Sequence, residues 1–292
     1  MAKTKNTIVN AEGEIYRARA LVDQFGNHQG IFKNPLHTND FAIPFSAGLV
    51  TGYRILHKFG HTPTLGTSQE DIWDNGGMYV YPSAAAQMTV SSSSANDTAA
   101  GTGARTVEVF GLDANYLEVN ELITLNGQTP VTTTNSYLRI YRMVIRSAGS
   151  SGWNEGDIYI GSGAVTGGVP ATIYGRITFD TVYGKGENQT LMAIYTIPAG
   201  KTGFVKKLHF AVNRSSKPLE LWAYARPIGE VFQVKYRSMI DIGNLTIDFN
   251  GSIPESGLAE KTDFALRASV ETGTVDVAGG FELILVDNTL LV

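Results

Sequence analysis

The segment Pro198-Ala199-Gly200-Lys201-Thr202 ends in the Gly-Lys-Thr triplet of a phosphate-binding loop. Such a loop needs an earlier glycine, five places before Gly200, so that successive backbone N–H groups can curl around phosphate oxygens and open onto a helix; Tyr195 stands there. The flanking residues 191–197 and 204–212 read as strands, so 199–202 is expected to be a hairpin turn. The glycine-bearing runs Gly161 to Gly168 and Gly101-Thr102-Gly103 are followed by no helical pattern whose dipole would hold phosphate, and read as flexible loops. His57 and His61 would share one face of a helix, but Gly60 and Pro63 argue against that helix, and a structural or surface role is expected. Asp71 and Asp74 flank Trp73 without the alternating oxygen ligands of a calcium loop. Pairs such as Glu70 with Asp71, or Glu118 with Glu121, have the residue types for acid and base across a glycosidic bond, but a chain of this size supplies such pairs by chance. There is no Gly-x-Ser-x-Gly elbow, and with no cysteine there is no thiolate nucleophile or thiolate metal site. No enzyme activity, metal or cofactor is expected.

Four aromatic residues, Trp73, Tyr79, Tyr81 and Trp153, fall in or beside apparent loops. Exposed rings there would stack on sugars or anchor a partner; buried ones would fill the core at a sheet edge.

The elements that must position these groups are strands. Short runs rich in Val, Ile, Tyr, Phe and Thr recur from residue 107 to residue 286, each bounded by Gly, Pro, Asn or Asp, with no helical periodicity between them. Leu122 to Leu125 runs into Asn126-Gly127, a strong hairpin signal, and Thr129 to Thr134 resumes with β-branched residues. The fold class expected is all-β: two antiparallel β-sandwich, jelly-roll-like units behind an N-terminal arm. The polar stretch Tyr183 to Gln189 is the best boundary, giving an arm at 1–45, one unit at 46–185 and a second at 186–292. Ser91 to Gly103 reads as a surface loop of small residues. Within the arm, Asn10 would cap a short helix ended by Gly26, and Ile15, Leu21, Val22, Phe25, Phe32, Phe41 and Phe45 are too few to build a core but too apolar to stay in water. They are candidate assembly contacts, on a neighbouring subunit or as a strap on their own domain.

Composition narrows the function classes. The 292 residues carry a net charge of −4 and only 17% charged residues, so no general field attracts nucleic acid or anionic lipid, and neither is expected as a partner. No apolar stretch is long enough to span a bilayer, and the basic Met1 to Lys5 is followed by polar residues, so export by a secretory signal is not expected.

Several motifs together carry a resemblance. They are Val50-Thr51-Gly52, His57-Lys58-Phe59-Gly60, Glu70-Asp71-Ile72-Trp73-Asp74, Tyr79-Val80-Tyr81-Pro82, Asp97 to Val107, Gly111-Leu112-Asp113, Asn154 to Ile158, Tyr195 to Gly200, Glu260 to Asp263 and Phe281 to Asp287. From Gly48 to Asn288 the chain resembles a family of structural proteins of tailed, often marine, bacteriophages. The resemblance implies a β-rich virion component and carries over no catalytic residue. The expectation is a capsid decoration or head-fibre subunit, located in the virion, homo-oligomeric with a trimer as the best guess, and partnered by the major capsid protein or other virion proteins. The alternative is a tail or fibre component that binds host glycan.

Overall fold

A computed structural model describes residues 49–212, 218–241, 243–249 and 257–291. The chain divides at Thr51, and the unit from Gly52 onward is the one described below. The arm residues Ile15, Leu21, Val22, Phe25, Phe32, Phe41 and Phe45, and the short helix expected among them, lie outside the described residues.

Among the described residues eighteen strands follow one another. They are β1 (Tyr53–Leu65), β2 (Glu70–Asp71), β3 (Ala86–Ser92), β4 (Ala104–Leu112), β5 (Glu118–Thr124), β6 (Val131–Tyr137), β7 (Arg139–Ala148), β8 (Ile158–Thr166) and β9 (Val169–Ile177). Then come β10 (Phe179–Asp180), β11 (Lys185–Gly186), β12 (Ile194–Thr196), β13 (Lys201–Val212), β14 (Leu219–Arg226), β15 (Gln233–Ile240), β16 (Gly243–Asp248), β17 (Asp263–Val270) and β18 (Val275–Asp287). Every named strand pairing is antiparallel.

The first sandwich packs the sheet β1-β18-β13-β16 against the sheet β12-β17-β14-β15, with β2 also on β17. Side-chain alternation sets the faces. In β14, Leu219, Leu221, Ala223 and Ala225 point into the core while Glu220, Trp222, Tyr224 and Arg226 point away. Phe264 of β17 meets Phe281 of β18 edge to face across the core, their centroids 4.9 Å apart.

β2 and β12 are two halves of one strand. Asp71 pairs with Arg267 and Ile194 with Ala265, so Ile72 and Ala193 share the one position opposite Leu266 on β17. Ile72 N donates to Leu266 O, Leu266 N to Ala193 O, and Ala193 N to Ile72 O, all within 3.1 Å. With the split strand taken as one, the first sandwich has eight strands that pair first with last, second with seventh, third with sixth and fourth with fifth: β1–β18, β2/β12–β17, β13–β16 and β14–β15. That nested order, a long hairpin rolled over on itself, is the jelly roll.

The chain leaves the jelly roll at Trp73 and returns at Met192, residues that bridge each other. Between them a second sandwich packs the sheet β6-β3-β8-β9 on β5-β4-β7 around Val90, Val107, Val109, Tyr137, Met143 and Ile160, with the small hairpin β10–β11 beside it. The division expected at 185/186 is therefore corrected on its N-terminal side. β1 and β2 were expected in the first unit, but they complete the C-terminal sandwich because their partners are β18 and β17.

Four local readings also change. Asn126-Gly127 is a tight turn but not a hairpin: β5 stays in one sheet and β6 joins the other, because Leu125 N is taken by Arg105 O and Gly127 N by Asp97 O. Residues 199–202 likewise turn, with Gly200 at φ 76°, but carry the chain from β12 in one sheet to β13 in the other. The run Gly161 to Gly168 is not a loop. It is most of β8 and the turn of the β8–β9 hairpin, where Gly167 and Gly168 at φ 56° and 84° supply the two left-handed residues that such a turn needs. Nor is Ser91 to Gly103 a free surface loop. Asp97 is fully buried within it and accepts hydrogen bonds from Ser92 Oγ and from the backbone N–H groups of Ala104, Glu155 and Gly156.

Gly60 shows how closely β1 passes the split strand. A Cβ there would lie 2.1 Å from Ile72 O and 2.5 Å from Ala193 N, both backbone atoms of the break itself. Gly60→Ala is expected to lower stability by about 3 kcal/mol, the upper part of the usual overpacking range, in urea unfolding. Gly66→Ala, whose nearest neighbour would be a glutamate oxygen at 3.8 Å, is the control and should cost under about 0.5 kcal/mol.

Candidate functional site at the junction of the sandwiches

β17 is buried on both faces. Phe264, Leu266, Ala268 and Val270 enter the jelly-roll core, while Asp263, Ala265 and Arg267 on the other side are also buried. Two charged clusters lie on that second side. Asp263 accepts from Arg139 of the inserted sandwich (Nε 2.9 Å, Nη2 3.2 Å), from Arg226 of β14 (Nε 3.1 Å, Nη2 2.6 Å) and from Thr196 Oγ1 at 2.6 Å. Arg139 spends its remaining nitrogen on the carbonyls of Pro82 and Leu138. Asp71 accepts from Arg267 Nε at 2.7 Å and from Tyr79 N at 2.7 Å. Burial pushes the Asp71 carboxyl above its ordinary range, against the pull of Arg267.

Of the aromatic residues singled out from the sequence, Tyr81 stacks on these guanidinium groups, with Arg139 and Arg226 over its ring, and Trp73 and Tyr79 pack behind it. Trp73 and Tyr79 meet edge to face at 5.1 Å, and Tyr79 and Tyr81 at 4.8 Å. The Arg226 Cζ lies 4.4 Å from the Tyr81 ring centre and 4.5 Å from that of Phe232; Arg267 lies 4.5 Å from Tyr224 and 4.4 Å from Phe232. Trp73 is 2% and Tyr79 5% exposed, so these rings fill the junction and present no platform to solvent. Tyr81 is half-buried, its hydroxyl without a hydrogen-bond partner among the described residues, and burial raises its pKa well above the ordinary phenol value. Trp153 stands apart from this group, half-buried in a loop of the inserted sandwich with Lys185 Nζ 5.6 Å from its ring centre.

Chemically the junction is a clamp. Both carboxylates are committed to guanidinium groups, so neither Asp71 nor Asp263 is placed to move a proton, and Glu70 is bound to the N–H of Gly77. The exit itself is pinned: Trp73 N donates to Thr62 Oγ1 of β1, and Asp74 Oδ2 accepts from Leu191 N at 2.7 Å. Burial raises the Asp74 carboxyl well above its ordinary pKa. The aromatic residues stand out in the sequence and the arginines do not, because Arg139 and Asp263 are 124 positions apart and no local pattern marks their meeting.

Beside the clamp lies a cleft of about 530 Å³ between edge strand β1 and the β5-β4-β7 sheet. Arg54 holds Glu118 with two nitrogens (2.6 and 3.2 Å), and Tyr141 Oη reaches Glu118 at 3.4 Å. Arg142 donates to Gln189 Oε1 at 3.0 Å. Lys58 is buried and donates to Tyr141 O; burial, aided by Arg142, pulls its ammonium down to about 7, with Asp74 opposing. His57 stacks on Phe59 and on His209, each at 5.4 Å, and His61 pairs with Asp276 at 2.6 Å. Among the described residues, no group of three or more His, Cys, Asp or Glu is placed to hold a metal ion.

No protein-family profile matches the chain, and no characterised protein matches its sequence. Among solved structures, the infectious bursal disease virus Gx strain is 13% identical over 82% of each chain, with a TM-score of 0.12. The VP2 subviral particle of the same virus is 11% identical over 83% of each chain, with a TM-score of 0.11. The Gt strain is 12% identical over 82% of this chain and 83% of that one, again with a TM-score of 0.11. These are faint likenesses to viral capsid protein, and at such scores they carry no argument about this chain.

Proposed function

We propose that the chain is a structural subunit of a bacteriophage particle, of the capsid decoration or head-fibre kind, which stabilises the shell by protein–protein contacts. The observation that carries this reading is the construction of the unit: a jelly roll with a second sandwich inserted through a split strand and clamped by buried Arg–Asp pairs. Jelly rolls serve viral coats and lectins alike, so the fold alone does not decide the function. The phage resemblance from Gly48 to Asn288 favours the coat. A subunit that binds an intact shell and not its dissociated parts shifts the equilibrium toward the shell. The test is to add the purified protein to particles stripped of it and follow the temperature of genome release. A rise with saturating protein is expected; a failure to bind particles defeats the reading.

The subunits are proposed to form homotrimers. β15 is an open edge of the jelly roll, and Val231, Val234 and Met239 on or beside it are 75%, 50% and 62% exposed. An apolar open edge is a pairing hazard that a neighbouring copy would cover. Light scattering should give three times the 31.5 kDa chain mass, and Val234→Lys with Met239→Lys should reduce it to one chain. A wild-type monomer at all concentrations refutes this.

A further inference from the structure

We propose that the cleft between β1 and the β5-β4-β7 sheet is a binding site for a carboxylate-bearing saccharide, with Arg142 as the counter-ion. This inference stands apart from the particle reading, since it concerns the isolated chain.

The argument begins with size and lining. A volume of about 530 Å³ lies within the range of small-ligand sites and admits two or three sugar rings. The walls alternate aromatic and polar groups: Phe110 and Tyr141 offer ring surface for the apolar C–H face of a pyranose, and Glu118 and Gln189 offer oxygens to its hydroxyls. An apolar ligand would leave these polar groups desolvated without partners.

Charge then selects the ligand. Two guanidinium groups, Arg54 and Arg142, and the buried Lys58 amine line the cleft against one carboxylate, Glu118, in a chain whose net charge is −4. Arg54 and Glu118 neutralise each other at 2.6 Å. Arg142 has no acidic partner within ion-pair distance among the described residues and makes one hydrogen bond, to the neutral Gln189. A planar guanidinium facing a cleft matches a carboxylate in two-point fashion. A phosphate dianion would meet the Glu118 carboxylate with only one uncommitted guanidinium to offset it, so a monoanion fits better.

The test uses purified wild-type protein, trigalacturonate as the acidic probe, and maltotriose and inorganic phosphate as comparisons, each titrated by calorimetry or ligand-observed NMR. Trigalacturonate is expected to bind and maltotriose to bind at least about tenfold more weakly, a step of one decade in Kd. Arg142→Gln, an exposed substitution, should weaken trigalacturonate at least about tenfold with the melting temperature unchanged. Arg237→Gln, which removes an exposed cation on β15, should leave it unchanged. Absence of trigalacturonate binding at millimolar concentration, equal binding of maltotriose, preference for phosphate, or an Arg142→Gln variant that binds as the wild type each overturns the proposal.

Discussion

Asp263→Ala is expected to lower the stability of the protein by about 3–5 kcal/mol, the usual loss when one member of a buried ion pair is removed. The Asp263 side chain is 4% exposed and answers two guanidinium groups, of which Arg139 at 9% is nearly as deep and Arg226 at 27% is not. Without the carboxylate, Arg139 keeps its full charge in a place where water cannot reach it. Arg226→Ala should cost less, because its partner retains Arg139. Replacing Arg139 by Met together with Asp263 by Leu should recover most of the loss, since no charge is then left buried. Because Arg139 comes from the inserted sandwich and Asp263 from the jelly roll, the effect should also show in cooperativity. The wild type is expected to melt in one calorimetric transition and Asp263→Ala in two. A loss below about 1 kcal/mol, or a single unshifted transition, contradicts the clamp.

The second large effect concerns Lys58 and carries a distinct pH signature. In the unfolded chain its ammonium persists to about pH 10.5, but in the folded protein only to about 7. Between those values the unfolded state binds the additional proton, so this group makes stability rise with pH across that window. Below pH 7 the full cost of the buried charge is present, at most about 5 kcal/mol for a shift of this size. Lys58→Met removes it, along with one hydrogen bond to Tyr141 O worth about 1 kcal/mol. The variant should therefore be more stable than the wild type at pH 6, and its advantage should shrink steadily toward pH 10. Urea midpoints collected over that range measure the difference. An advantage that is flat or grows with pH refutes the assignment.

The strands were legible in the sequence because each is a short β-branched or aromatic run between breakers, as Leu219 to Arg226 illustrates with its strict alternation. Their partners were not. Asn126-Gly127 fixes a local turn, but whether the next strand turns back or crosses depends on Asp97 and Arg105, some twenty to thirty positions earlier. The same holds for the site. Trp73 and Tyr79 stand out as large rings amid loop residues, yet their burial depends on Met192, Ile194 and Ala265 closing over them from far along the chain. Arg139, Arg226 and Arg267 carry no local sign of their role, since a strand arginine that is buried reads the same as one in solvent. Lys58 gives no signal either: its depth follows from the inserted sheet that covers β1, and that arrangement exists only once the strand has been split.

The split strand also bears on how the chain reaches its fold. Tyr53 of β1 must wait for Val286 of β18, so during synthesis the first strand of the jelly roll is made long before its partner. The inserted sandwich has no such delay, because its strands pair only within the stretch between Trp73 and Met192. Once it has folded, Asp74 N is bonded to Leu191 O and the two halves of the broken strand are already held side by side. The ordering entropy of that long excursion is then met before the jelly roll closes, and a longer or shorter insert would change the closure term by only about 0.6 kcal/mol per doubling. On this pairing the insert is expected to fold first and to splice the strand it interrupts. A sandwich of quite different length is expected to be accepted at the same seam, provided that its ends emerge as one hydrogen-bonded pair.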